Sequence, residues 1–330
     1  MDEVRKPRVA VIGGTYIDLV VRCAHIPRAG EAVAGSALSY STSGPGPNQA
    51  VQAALCGCDV YLISKVGEDP CAEVARQALA EYEVNTQYVC VASAKNTGTV
   101  VTMVNAEGEN GACHYLGANA SLTPEDIEAA EEVISEADVC LIHGKLPQEA
   151  IVDAVRLAKV HGTKVVLNPA RPLAAPADGG GQCSEPPAEF FTADVVVPNL
   201  YEAAEITDTS AAINIRTAKM MGSDLVARGV KCAVITMGGR GCIVVDRKGA
   251  DHIPAFDVEL VDDAGKGDAF AGALAASCAV GDEVRRAVEF ASAAGALACT
   301  KFGAMEAMSS RAEIIELLQR QDTDWLDTGQ

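Results

Sequence analysis

Val261-Asp262-Asp263-Ala264-Gly265-Lys266-Gly267-Asp268-Ala269-Phe270-Ala271-Gly272-Ala273-Leu274 is the stretch that decides the fold. A strand-like approach enters a glycine-rich turn and leaves it as a helix of small residues. Successive backbone N–H groups can therefore converge on an anion at the helix N-terminus. Asp268 stands at that terminus. A carboxylate there can take a proton from an attacking hydroxyl while the N–H dipoles hold developing phosphoryl charge, or it can cap the helix, and the segment alone leaves both readings open.

Outward from this turn, short apolar runs rich in β-branched residues read as strands buried on both faces: Val9 to Ile12, Asp59 to Ser64, Val139 to Ile142, Lys164 to Leu167, Asp194 to Val197 and Cys232 to Thr236. Helical periods separate them at Asn48 to Leu55, Cys71 to Ala80, Pro124 to Ser135, Gln148 to Lys159 and Ala211 to Ala227. This alternation predicts an α/β fold, a three-layer α/β/α sandwich with a mostly parallel central sheet. Glu31 to Tyr40, Thr97 to Asn105 and Gly111 to Leu116 read instead as antiparallel strands, which a doubly wound core has to place outside itself. They predict a small β-sheet lid over about residues 16–24, 31–40, 97–105 and 111–117. Ala174 to Pro187, around Gly179-Gly180-Gly181, is expected to be a surface loop. No internal repeat or linker divides the chain, so residues 1–320 are expected to form one domain and 321–330 a C-terminal tail.

The 330 residues carry 26 Lys and Arg against 45 Asp and Glu, a formal charge of −19. Such a balance repels phosphate backbones and anionic membranes, so neither nucleic acid nor membrane is an expected partner. With 49% hydrophobic residues there is apolar material for a large core, and the 4% aromatic content weakens stacking-based recognition. The start lacks a signal-peptide core, and no apolar run reaches the ~18 residues of a membrane span. The twelve cysteines are scattered without a CxxC pair, as expected for reduced, mostly buried thiols in a cytoplasmic protein.

Three further segments are open to a ligand. Thr236-Met237-Gly238-Gly239-Arg240-Gly241 lies between two strand-like runs and suits a phosphate or nucleotide edge over open backbone, or an ordinary glycine hairpin. Ser43-Gly44-Pro45-Gly46-Pro47-Asn48 leads into a helix N-terminus. Asp18, beyond the first strand, can accept sugar hydroxyls or serve as a turn residue. There is no Walker A lysine loop and no full dinucleotide fingerprint at Gly13-Gly14.

These segments together resemble the PfkB carbohydrate kinase family, and within it the ribokinase branch. The similarity runs from about Val9 to about Leu318. It includes Asn48-Gln49-Ala50-Val51, Lys65-Val66-Gly67-Glu68-Asp69, Gly117-Ala118-Asn119-Ala120, Asn168-Pro169-Ala170, Asn199-Leu200-Tyr201-Glu202 and Asp262 to Leu274, in the family's order. The resemblance implies a ribokinase-like fold and transfer of phosphoryl from ATP to the 5-hydroxyl of D-ribose. Asp268 is then the base, and Gly265, Lys266 and Gly267 form the anion hole. Asn199 and Glu202 organise Mg2+ and the phosphates. Thr236, Met237, Gly238, Gly239, Arg240 and Gly241 line ATP together with Gly267, and Ser292 touches the base side. Tyr16, Asp18, Gly44, Gly46, Asn48 and Lys145 face the sugar. Asp262, Ala264, Ala298, Lys301, Gly303 and Ala307 fall where the family binds an activating K+, and the lid is expected to pair two subunits into a homodimer.

The chain also departs from the family pattern. Pro45 stands where a lysine is usual and Lys145 where a glutamate is usual. Lys266 stands where an alanine is usual between the anion-hole glycines, and Ala307 replaces a serine. Lys266 either compensates for the lysine missing at Pro45 or occupies the hole itself. The alternatives to a D-ribose kinase are therefore a sugar or nucleoside kinase with another acceptor, and a catalytically impaired relative with a binding role.

Overall fold

The structure, a computed structural model, describes residues 5–170, 185–210 and 214–327, and side chains as far as 320. The expected loop at 174–187 lies almost wholly outside the described residues. Strands run in chain order as β1 (Arg8–Ile12), β2 (Tyr16–Cys23), β3 (Gly35–Ser43), β4 (Asp59–Gly67), β5 (Val89–Ala92), β6 (Gly98–Val104), β7 (Asn110–Tyr115), β8 (Val139–His143), β9 (Lys164–Asn168), β10 (Val195–Val196), β11 (Cys232–Thr236), β12 (Cys242–Asp246) and β13 (Gly249–Ile253). The helices are α1 (Pro45–Leu55), α2 (Pro70–Ala80), α3 (Pro124–Glu128), α4 (Glu131–Glu136), α5 (Gln148–His161), α6 (Leu200–Ile206), α7 (Ile215–Ala227), α8 (Lys266–Ala279), α9 (Val284–Ala298) and α10 (Arg311–Asp327).

Nine strands form the central sheet in the order β13-β12-β11-β10-β9-β8-β1-β4-β5. Pairing is parallel from β11 to β5, and β12 and β13 close the other edge as an antiparallel hairpin. On β1, Val9 and Val11 belong to one buried cluster and Ala10 and Ile12 to another, so both faces are covered. The first cluster holds residues of α1, α8 and α9, and the second holds residues of α3, α4 and α5. Burying each Val or Ile among them contributes about 1.5–3 kcal/mol, which is why β-branched runs without polar alternation mark the sheet.

Four sequence expectations shift. The lid is the separate sheet β3-β2-β6-β7, but it is not wholly antiparallel: β2 and β6 pair in parallel, Tyr16 opposite Gly98. Its second strand spans Gly35–Ser43 rather than 31–40. Helix α1 begins at Pro45, three residues before the expected start, because Pro45 and Pro47 occupy its first turn, where N–H groups have no intrahelical acceptor anyway. The helix expected over Pro124–Ser135 divides after Glu128, where the Ala130 N–H reaches back only to the Ile127 carbonyl.

Candidate active site

The sheet order reverses at β1, which lies between β4 and β8 although β4 is next to it in the chain's core path. Ligands of open α/β sheets bind in the crevice beyond the carboxyl ends of the strands at such a point. The N-termini of α1 and α8 meet there. Gly265 caps α8 in the left-handed conformation, φ 71°, which a residue with a Cβ adopts only at a cost, and its carbonyl then accepts the Ala269 N–H at 2.8 Å. The N–H groups of Lys266, Gly267 and Asp268 belong to the first turn and have no partner within the helix. Nothing lies within 4 Å of where a Cβ on Gly267 would stand, so the turn faces open space.

Asp268 is the third residue of α8, and no side chain caps this helix. Its carboxylate receives two amide donors from α1 instead: Asn48 Nδ2 at 2.8 Å on Oδ2 and Gln49 Nε2 at 2.9 Å on Oδ1. Gly272, one turn further on, makes this possible, because a Cβ there would stand 2.6 Å from the Gln49 carbonyl oxygen. Burial pushes the Asp268 carboxyl above the ordinary range, while the two amides and the positive charge of Lys145 pull it back. Asn48 Oδ1 and Gln49 Oε1 are buried without a hydrogen-bond partner. Asn48, expected at the sugar, thus gives one of its two amide N–H donors to Asp268. Gln49 had no role in the sequence reading, although the small residues of α8 announced a close helix approach.

Gly44 caps α1 and accepts the Asn48 N–H at 3.0 Å, while the Gly46 N–H donates to the Gly14 carbonyl at 3.1 Å. The lid strand β2 begins beside them. Tyr16, expected to touch substrate, is 5% exposed and packs against Gly14, Gly44 and Gly98, and burial pushes its phenol up to about 12. Asn119 holds the adjoining Thr15 by its N–H and its carbonyl, at 2.9 and 2.8 Å. Asp18 is a strand residue of β2, not a turn residue. Burial raises its carboxyl, Glu306 adds to that, and a hydrogen bond from Ser43 and the charge of His114 oppose it.

Lys266 does not reach into the anion hole. Its ammonium pairs with Asp263 at 2.5 Å and is well exposed, while its backbone stays in the turn. Lys145 is the cation whose charge acts on Asp268.

Asn199 caps α6, accepting the N–H groups of Tyr201 and Glu202, and Glu202 Oε2 accepts the Asn199 N–H at 2.8 Å. Asn199 bridges to Thr236 at the end of β11, so both segments expected at the phosphates share one edge. Gly238 to Arg240 form a 3-10 turn, closed by the Met237 N–H on the Gly241 carbonyl at 2.8 Å, and the backbone at Gly238 and Gly239 is open. Ser292 of α9 stands 3.7 Å from the Cys242 sulfur, beside that turn.

At the expected cation loop, Asp262 accepts the Ala264 N–H and the Gly303 N–H, each at 3.1 Å, and ties the two segments together. The Ala298 carbonyl accepts the Lys301 N–H at 3.4 Å, whereas the Lys301 ammonium turns away to Ser309 and Glu313. Ala307 is fully buried.

Residues 6–311 match the pfkB family carbohydrate kinase profile. A ribokinase of Bacillus subtilis is 33% identical over 314 residues, covering 94% of this chain and 99% of that protein. A deoxyribokinase of Salmonella typhi is 31% identical over 312 residues, covering 94% and 98%. The chain spans 56% of the length of a bifunctional ribokinase/ribose-5-phosphate isomerase A of Fructilactobacillus sanfranciscensis, at 30% identity over 317 residues. An Arabidopsis thaliana ribokinase solved with ribose and ATP shares the fold, with a TM-score of 0.83 at 23% identity over 96% of this chain and 99% of that one. The chain belongs to the pfkB family of carbohydrate kinases, and so to the ATP-dependent sugar kinases.

Proposed function

We propose that this protein transfers the γ-phosphoryl group of ATP to the 5-hydroxyl of D-ribose, with Asp268 as general base. The observation that carries the reading is the Asp268 carboxylate, fixed by two amides beside an open helix N-terminus. Its oxygen takes the hydroxyl proton as the sugar oxygen attacks phosphorus. The N–H groups of the α8 turn hold the charge that develops on the transferred group, a fixed-dipole stabilisation that needs no reorganisation. Asp18 and the α1 N-terminus at Gly44, Gly46 and Asn48 orient the sugar. Asn199, Glu202 and the Thr236–Gly241 turn, with Ser292 behind it, take the nucleotide.

Mg2+ bound with ATP neutralises phosphate charge, and it usually keeps water ligands, so the Glu202 carboxylate at this edge suits a water-mediated contact. The tied segments at Asp262 suit a K+ held by backbone carbonyls, less one hydroxyl at Ala307. The lid supports a homodimer. By register Leu38, Tyr40, Val101 and Tyr115 share one face and are 68, 45, 36 and 49% exposed, an apolar surface that a second lid would cover. The eleven described cysteines are free thiols, and among the described residues no helix is long and apolar enough to cross a membrane, which supports a cytoplasmic site of action.

ADP release with a panel of D-ribose, 2-deoxy-D-ribose and ribonucleosides tests the reading. It expects the highest kcat/KM with D-ribose. A better nucleoside or deoxyribose moves the acceptor, and ATP binding without any turnover leaves only a binding role.

A further inference from the structure

The carboxylate of Asp69, at the end of the segment Lys65-Val66-Gly67-Glu68-Asp69, joins three elements. It caps α2, where Oδ1 accepts the Ala72 N–H at 3.1 Å. It also holds the root of β6, the lid strand that pairs with β2. Oδ1 accepts the Thr97 hydroxyl at 2.7 Å, and Oδ2 accepts the Thr97 N–H at 2.6 Å and Asn96 Nδ2 at 3.5 Å. Thr97 is 1% exposed, and its hydroxyl oxygen accepts the N–H of Gly67, the last residue of β4, at 3.0 Å. Burial raises the Asp69 carboxyl, but these donors outweigh it and leave the group below its ordinary range. An N-cap needs only one side-chain acceptor, which Ser, Thr or Asn supplies as well as Asp. The second oxygen and its donors are therefore surplus to capping. The root is also tightly packed: a Cβ on Gly67 would stand 2.5 Å from the Thr97 nitrogen, and one on Gly98 2.8 Å from the Thr15 carbonyl oxygen.

We propose that Asp69 is a positioning residue for the acceptor: by fixing Thr97 it sets where the lid carries Asp18 over the crevice. This rests on the reading of Asp18 as a sugar contact. The path from one carboxylate to the other is short and runs through paired backbone. Thr97 precedes Gly98, which lies opposite Tyr16, and two residues further Val100 lies opposite Asp18. At about 3.3 Å per residue, Thr97 and Val100 are about 10 Å apart along β6. Asn119 holds the root of β2 at Thr15 as Asp69 holds the root of β6, so the parallel pair is fixed at both roots. With the β6 root released, the pair can turn about the other, and a displacement of about 1 Å at a contact is enough to cost up to a hundredfold. The nucleotide edge at Asn199 and Thr236 lies at the far side of the central sheet, at β10 and β11, whereas Asp69 follows β4. The effect should therefore fall on the acceptor and spare ATP.

Asp69→Asn separates anchor from cap, because the amide keeps an oxygen for the Ala72 N–H but turns an NH2 group toward the Thr97 N–H. In the ligand-free variant, hydrogen exchange at the Thr97 amide should quicken at least about tenfold while the α2 amides are unchanged. KM for D-ribose should rise on the order of tenfold, with KM for ATP and kcat within about twofold. Added to Asp18→Ala, Asp69→Asn should change KM for D-ribose by less than about twofold, because it acts through Asp18. If Asp69→Asn does not fold, Thr97→Val, which removes the hydroxyl bridge alone, should raise the same KM by about threefold or more. An unchanged KM for D-ribose overturns the proposal. So does an equal loss for both substrates, which is a general structural effect, or a full effect in the Asp18→Ala background. Failure of the wild type to phosphorylate any sugar refutes the functional reading instead. Calorimetric affinity for D-ribose in wild type and Asp69→Asn then decides this one, with equal or absent binding overturning it.

Discussion

Gly272→Ala separates the two helices that build the site by a single methyl group. The new Cβ would stand 2.6 Å from the Gln49 carbonyl oxygen and 2.8 Å from Gln52 Cβ, against backbone that cannot swing aside. Ordinary contact begins near 3.4 Å, so α1 must retreat by about 0.8 Å. The amides now 2.8 and 2.9 Å from Asp268 would then lie at about 3.6 and about 3.7 Å if the retreat runs along the bonds, beyond hydrogen-bonding distance. Each hydrogen bond to a charged group is worth about 1.5–3 kcal/mol, and ~1.4 kcal/mol is a tenfold rate change, so kcat/KM should fall on the order of tenfold to a hundredfold. Overpacking costs about 1–3 kcal/mol of stability and the better helix former returns about 1, so the fold should survive. Because the two amides hold the Asp268 carboxyl down, the loss should be greater at pH 6 than at pH 8. ADP-coupled kinetics and thermal melting measure both. Full activity with an unchanged melting temperature would refute the idea that helix spacing positions the amides.

Lys266→Ala should leave kcat/KM within about twofold, because the ammonium is spent on Asp263; a tenfold change either way in the same assay would return it to the anion hole. Leu38→Asp on the apolar face of the lid should convert a dimer to a monomer in light scattering, and a wild type that is already monomeric at micromolar concentration would exclude pairing through the lid. Asp268→Asn should melt measurably higher than wild type at pH 8. Its carboxyl is raised by burial, so the wild-type fold loses stability as pH rises through the folded value, and the difference should vanish below the unfolded carboxylate range. The unpartnered oxygens of Asn48 and Gln49 can accept from the new amide once they rotate. A lower melting temperature at pH 8 would contradict this.

The strands of the core were legible because burial on both faces leaves uninterrupted β-branched runs, and Cys232–Thr236 is bounded as expected. Proline misled at α1, since a residue that breaks a helix interior is tolerated in its first turn. The lid's parallel β2–β6 pair was hidden because alternation along a strand says nothing about which neighbour it meets. In the site, backbone features such as the Gly265 turn were legible from residue type. The ends of long side chains were not. Lys266 sits in the anion-hole sequence and points to Asp263, whereas Lys145, more than a hundred residues away in the chain, acts on Asp268. Gln49 was silent for the same reason, since its partner lies on another helix.

The most direct test of the account is the rate at which D-ribose and ATP give a 5-phosphate ester, followed by phosphorus NMR, in wild type and Asp268→Asn. The account predicts a phosphate signal coupled to the C5 protons in the wild type, and a rate lower by on the order of a hundredfold or more in the variant with nucleotide affinity retained. Near-normal ester formation by Asp268→Asn would contradict it.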